Sequence, residues 1–106
     1  MVRLTILYGQ PTDPAAFDHY YWNVHIPLAK KMKGWSRWTV EPVQAPLGAD
    51  DAASPYHMVV GLYAANREEM ERILATPEAR AASADVPHFA TGGATFLVTE
   101  EHQIDI

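Results

Sequence analysis

Five histidines and no cysteine set the chemistry open to this chain. Without a thiol there is no cysteine nucleophile, no disulfide frame and no thiolate zinc site. Proton transfer then falls to histidine, whose ordinary pKa lies near neutrality. His25 stands apart by its context, His25-Ile26-Pro27-Leu28 inside an otherwise helical pattern. Pro27 has no N–H for the Asn23 carbonyl and its ring crowds that oxygen, at a cost of about 3 kcal/mol if nothing compensates. Ile26, the residue before it, is pushed away from helical geometry. A kink or break is therefore expected at His25, with Trp22 one turn earlier. A histidine there either faces a pocket as general acid or base, or donates to a freed carbonyl in a structural role.

The other histidines divide by context. His57 opens a strand and alternates with Val59 and Tyr63, which would turn it into an interior cavity or onto a strand edge. His88, in Asp85-Val86-Pro87-His88-Phe89, follows a helix and could overhang a cavity mouth. His19 falls on a different side of its helix from His25 and is expected in solvent, and His102 is too near the end of the chain for a role. No pair of histidines has the i, i+4 spacing of a zinc motif, so no metal is expected, although His25, His57 and His88 could still meet in space. Gly92-Gly93 follows no strand and opens no helix, so it reads as a turn and not a phosphate loop. No serine sits in a nucleophile elbow, and Glu68, Glu69 and Glu71 read as a solvated helix face. Most of the aromatic residues belong to core or interface, while Tyr21, Trp22 and Tyr63 carry polar tips that would suit an apolar, oxygenated ligand.

Four strands and the helices between them must position these residues. Val2 to Tyr8 is β-rich and bounded by Gly9-Gln10-Pro11. A helix follows with Asp13 as N-cap and Pro14 at its first position, and Gly34 is its expected stop. Its apolar stripe is Phe17, Tyr21, Val24, Leu28 and Met32. Residues 35–43 suggest a second strand, and residues 45–55, with two prolines and Asp50-Asp51, a loop. Residues 56–65 form the most apolar strand. A helix capped by Asn66, with Glu69 three residues on, buries Met70, Ile73 and Leu74. Thr76-Pro77 restarts a short helix to about residue 84, which Asp85-Val86-Pro87 ends. Residues 94–100 are the last strand. The order β-α-β-β-α-β over residues 1–106 predicts one α+β domain, a ferredoxin-like sandwich with an antiparallel sheet and both helices on one face.

The strand at 56–65 then poses a problem. Met58, Val60 and Leu62 are apolar on one face and Val59 and Tyr63 on the other, where a half-wet antiparallel sheet should alternate. An open apolar sheet face calls for a partner surface, and a symmetric homodimer pressing two such faces together is the simplest one. A cavity between the sheets would then be a natural ligand site.

Composition removes several classes. The 106 residues carry eight Lys or Arg against thirteen acids, a formal charge of -5. Residues 1–53 hold five of each sign, so the whole deficit lies in residues 54–106, with three basic and eight acidic groups. The one basic cluster, Lys30, Lys31, Lys33 and Arg37, fits the C-terminal end of a helix better than a nucleic-acid stripe, and no nucleic-acid partner is expected. The N-terminal residues lack a signal-peptide pattern and no apolar run approaches a membrane span, so a cytoplasmic protein without membrane attachment is expected.

The first third of the chain carries a family resemblance. Tyr8-Gly9, then Pro14-Ala15-Ala16-Phe17-Asp18-His19-Tyr20-Tyr21, then His25-Ile26-Pro27-Leu28-Ala29 resembles the EthD family of ethyl tert-butyl ether degradation proteins, with its F-x-x-Y-Y and H-x-P-L arrangement. The match runs over residues 2–34, and only as pattern at Tyr56-His57-Met58-Val59 and Phe96-Leu97-Val98. The resemblance implies a ferredoxin-like subunit of a dimeric α+β barrel, and a place in ether, aromatic or polyketide-type metabolism. It fixes no reaction, because fold does not fix function. The expected site is His25 as acid or base, with Tyr21, Trp22, His57, Tyr63 and His88 around a small apolar or aromatic ligand. No cofactor is expected, with haem left open by the superfamily. An enzyme reading would be a cofactor-independent lyase, isomerase or monooxygenase. The alternatives are a non-catalytic carrier serving an oxidoreductase system, or a domain whose cavity is filled by its own side chains.

Overall fold

The computed structural model describes residues 1–48 and 53–106, so Asp50-Asp51 of the expected loop lie outside the described residues. The chain runs β1 (Val2–Gly9), α1 (Pro14–Tyr20), a π-helical turn (Tyr21–His25), α2 (Ile26–Ala29), β2 (Arg37–Pro42), β3 (Tyr56–Ala64), α3 (Arg67–Leu74), α4 (Pro77–Asp85), a 3₁₀ turn (Val86–His88) and β4 (Ala94–Glu100). The strands form one antiparallel sheet in the order β2-β3-β1-β4. This is the expected ferredoxin-like α+β arrangement.

Alternation along β1 builds the core. Leu4, Ile6 and Tyr8 oppose Leu62, Val60 and Met58 of β3 across the central ladder, and all six are buried. Trp38 and Val40 of β2 and Phe96 and Val98 of β4 extend the same face to either side. Phe17, Tyr21, Met70 and Phe89 cover it from above. The caps foreseen at the helix starts form: Asp13 accepts from the Ala16 amide at 3.1 Å, and Asn66 from the Glu69 amide at 2.9 Å. Each such cap contributes about 1 kcal/mol.

The opposite face differs from expectation. Tyr63 is buried beneath its own chain, with the guanidinium carbons of Arg3 and Arg37 at 5.5 and 5.3 Å from its ring centroid. Arg3 also pairs with Glu41 at 2.9 Å. The face is thus a mixture of charged and apolar side chains, because two arginines lay their guanidinium groups over the aromatic ring that seemed to need a partner. Leu97, 44% exposed, remains open on the edge strand.

The first helix neither breaks nor stops at Gly34. It continues through the π turn, with the Ile26 amide bonding the Tyr21 carbonyl five residues back, and ends at Ala29. Ile26 keeps helical angles, φ -60 and ψ -47, against the expectation for a residue before proline. Widening the turn by one residue moves the Asn23 carbonyl away from the Pro27 ring, so the chain absorbs the proline without leaving the helix. The wider turn also shifts the buried stripe by one residue. Phe17, Tyr21, His25 and Ala29 now point inward, and Val24 is 45% exposed.

Candidate active site

His25 owes its inward orientation to that π turn. An uninterrupted α-helix would have buried Val24 and Leu28 in the stripe, leaving His25 to one side. As it stands, His25 is 6% exposed and lines a cavity of about 360 Å³ between the helices and the sheet. The walls are apolar: Leu4, Ile6, Val60 and Leu62 from the sheet, and Ala29, Ala79 and Ala82 from α2 and α4. The space exists because the helices present alanines where the sheet presents branched side chains. Exposed Leu74 and Phe96 and the polar Arg80 and Ser83 mark the mouth. This cavity lies inside one chain, between its helices and its sheet.

Asp85 holds the histidine. Its Oδ2 lies 2.9 Å from His25 Nδ1, and because a carboxylate only accepts, the proton sits on Nδ1. Nε2 is left as the basic nitrogen. The second carboxylate oxygen accepts the Tyr20 hydroxyl at 2.6 Å. Burial lowers the His25 pKa, and the hydrogen bond and charge of Asp85 offset only part of that, so the ring is neutral near pH 7. Burial works against the Asp85 charge too, but the bonds from Tyr20 and His25 outweigh it and hold the carboxyl below its usual range. The result is an oriented neutral imidazole with a free lone pair beside an apolar space. That is the state a general base requires.

Two tyrosines share this wall. Tyr8 is wholly buried, its ring 5.9 Å from that of Tyr21 and 5.5 Å from Phe89, and Phe89 lies 4.6 Å from the His25 ring. The segment carrying Phe89 is pinned over Tyr8 by backbone contact between Gly9 and Gly92, where a Cβ on Gly9 would lie 2.2 Å from the Gly92 carbonyl oxygen. Burial raises both phenols well above their ordinary pKa, so both are O–H donors at any ordinary pH.

Of the residues singled out in the sequence, His25 and Tyr21 line the cavity. His88 reaches it only through Asp85, at 3.5 Å from Oδ1, with its own side chain 64% exposed. Trp22 is 49% exposed and packs perpendicular to the Tyr21 ring, outside the cavity lining. Tyr63 is on the far side of the sheet. His57 turns toward α1, packing edge-on to Phe17 at 4.9 Å and donating from Nε2 to Asp18 at 2.8 Å. The reason is a bulge: β1 and β3 slip register between Tyr8 and Gly9, so His57 has no partner and leaves the alternation shared by Val59 and Tyr63. His25 and His57 are therefore held by different carboxylates and do not meet. Among the described residues no three His, Asp or Glu side chains converge as a metal site would need.

Asp85, Tyr20 and Tyr8 escaped the sequence reading. Asp85 did leave a signal, an acid in the last turn of a helix, where the dipole disfavours negative charge. Tyr8 left none, because a tyrosine on the buried face of a strand reads as core.

A ferredoxin-like α+β domain with a carboxylate-held histidine on an apolar cavity defines the class to which this protein belongs. The particular family follows from comparison with known proteins: residues 9–93 match the EthD domain, and the chain belongs to that family. It is 36% identical over 104 residues, 98% of each chain, to an uncharacterized 11.0 kDa protein of Rhodococcus erythropolis encoded in the thcB-thcC intergenic region. An EthD family protein from Bacillus halodurans C-125 superimposes with a TM-score of 0.82 at 31% identity, covering 96% of this chain and 99% of that one. SnoaB of Streptomyces nogalater, a cofactor-independent oxygenase, shares the fold at a TM-score of 0.66 and 13% identity, covering 97% of this chain and 94% of its own.

Proposed function

We propose that this protein is an enzyme of small-molecule metabolism that moves a proton on a largely apolar, oxygenated or aromatic ligand, with His25 as acid–base residue. One observation carries the reading: His25 Nδ1 is tied to the buried Asp85 while the ring lines an apolar cavity of about 360 Å³, within the size range of small-molecule sites. A base fixed in its tautomer and shielded from water is sufficient for isomerisation, elimination or the deprotonation that opens cofactor-free oxidation, so no cofactor is invoked. Tyr21 lines the same cavity, and His88 tunes Asp85 from the rim. The open sheet face, with Leu97 exposed on its edge strand, supports a homodimer through that face. A chain sedimenting as a monomer at micromolar concentration would overturn the dimer.

The test is a panel of aryl ketones and polycyclic phenols, with solvent deuterium exchange followed by proton NMR and oxygen consumption by electrode. Wild type is expected to turn over at least one class and His25→Gln to lose that turnover while still binding the molecule. Equal turnover by both proteins refutes the acid–base role. Binding by both with turnover by neither returns the protein to a carrier serving an oxidoreductase. A Soret band in the purified protein would contradict the cofactor-free scheme.

A further inference from the structure

Two phenols, Tyr8 and Tyr21, line the cavity, and of the two only Tyr8 has a fully buried hydroxyl left without a partner among the described residues. It is 0% exposed, it lines the cavity, and its hydroxyl has no hydrogen-bond partner among the described residues. The hydroxyl of neighbouring Tyr20, by contrast, is committed to Asp85 at 2.6 Å. A buried donor without an acceptor costs stability unless something brings one, and phenylalanine would fit the same space without that cost. The placement is specific. The Tyr8 ring packs 5.9 Å from Tyr21 and 5.5 Å from Phe89, and His25 packs 5.4 and 4.6 Å from the same two rings. The hydroxyl is also near enough to Asp85 to feel its charge. A donor and a neutral base therefore belong to one aromatic cluster on the wall of one apolar space.

We propose that the Tyr8 hydroxyl is the site's oxyanion donor, and that the substrate class is an enolisable ketone or a phenol. Its oxygen would rest on Tyr8 and its acidic C–H or O–H face His25. The inference rests on the acid–base reading of His25. With a ketone, Nε2 takes the proton from the α-carbon. The C–H electron pair becomes the new C=C bond, and the carbonyl π pair moves onto oxygen, where the Tyr8 O–H donates to it. Return of the proton from Nε2 to the same carbon gives exchange, and to a conjugated carbon gives the isomer. A phenol gives up its O–H proton to Nε2 and leaves a phenolate on the same donor. No oxidant or second reactant is required.

The probe is 4-nitrophenol, whose phenolate absorbs separately from the neutral form and mimics the enolate. Wild type is expected to bind it as phenolate at a pH where the free phenol is mostly neutral. Tyr8→Phe is expected to bind it at least about tenfold more weakly, with the titration of the bound probe moved up by about one pH unit, since a hydrogen bond to a charged oxygen is lost. The same variant should melt no lower than the parent, which a merely structural hydroxyl would not allow. His25→Gln should bind the probe in its neutral form. Unchanged affinity and spectrum in Tyr8→Phe, or no phenolate bound by wild type, overturns the proposal. If Tyr8→Phe keeps deuterium exchange and His25→Gln loses it, the donor role fails while the acid–base reading stands. If His25→Gln keeps exchange, the acid–base reading itself fails.

Discussion

Asp85→Asn tests the pair at the centre of the site. The exchange keeps the shape and leaves one oxygen to accept from His25 Nδ1, while an amide NH2 replaces the oxygen that accepts from Tyr20 and the charge is lost. Hydrogen bonds to charged groups contribute about 1.5–3 kcal/mol and neutral ones about 0.5–1.5, so the 2.9 Å bond from His25 should weaken by about 1 kcal/mol. For a domain of this length, 1 kcal/mol corresponds to roughly 4–8 °C in Tm. The 2.6 Å bond from Tyr20 adds in the same direction. The pH dependence carries more information. Both groups have folded pKa values below their unfolded ones, so the unfolded chain takes up each proton first and stability falls on acidification. With the carboxylate gone, nothing offsets the burial of His25, and its pKa should fall further. The gap in Tm between the two proteins should therefore widen below the ordinary histidine value of 6.5, once the pH passes the lowered value of wild-type His25. It should close below the ordinary carboxylate value of 3.8, where Asp85 itself takes up a proton. The assay is a series of calorimetric melts from pH 3 to 8 together with NMR titration of the histidine ring protons, His25 being assigned from the spectrum of His25→Gln. Coincident melts from pH 5 to 8, or a His25 that titrates in Asp85→Asn at or above its wild-type value, would refute the reasoning.

The geometry of the helices and the strand bulge supports three more expectations. Ala82→Leu pushes three carbons into the cavity from α4, so ligand affinity should fall more than about tenfold while Tm holds or rises by a few degrees, because added apolar atoms fill space instead of opening it; calorimetry and a binding titration on one preparation check both. Pro27→Ala restores an amide hydrogen, which lets the π turn relax to ordinary i to i−4 bonding, so thermal stability should hold or rise while the His25 pKa moves and activity is lost. An unchanged His25 titration in Pro27→Ala would show that the proline does not set the ring's direction. His57→Gln removes a half-exposed pair with Asp18 and should leave turnover intact, with a stability loss of about 1 kcal/mol or less by chemical denaturation.

The fold was legible because its signals are local and repeated. Asp13-Pro14 and Asn66 announce their helices, and the β-rich runs are spaced so that one antiparallel sheet is the economical arrangement. His25 was legible because Pro27 makes its surroundings improbable. The direction of the departure was not: removing an amide hydrogen says that a helix must yield, but a break, a kink and a π turn all satisfy that demand. The π turn goes with the packing of Ala29 and Met32 against Ala79 and Ala82 of α4, a contact far along the chain. His57 failed for a similar reason. Alternation is a reliable guide within a strand until one residue is inserted, and the bulge at Tyr8 and Gly9 depends on a pairing that no local pattern records. Asp85 lies 60 residues from its partner, and a sequence shows an acid against a helix dipole without showing what answers it.

Three locally unfavourable choices meet at one cavity: a π turn in the first helix, an acid at the C-terminal end of α4, and a buried phenol without a partner. A chain shaped by packing alone would be expected to relieve each of them, with a straight helix, a cation or amide at 85, and phenylalanine at 8. The pattern of substitution costs separates a site from an ordinary polar core. Removing one member of the His25–Asp85 pair strands the other in a buried setting, so His25→Leu and Asp85→Leu should each lower Tm. Removing the set together leaves no such orphan. Tyr20 is only half-buried and its hydroxyl can turn to water, so Tyr8→Phe combined with His25→Leu and Asp85→Leu should melt close to the parent and above either leucine variant alone. Melting of the triple variant well below both single leucine variants would mean that the network holds the fold together, and its placement on the cavity would then carry no weight for function.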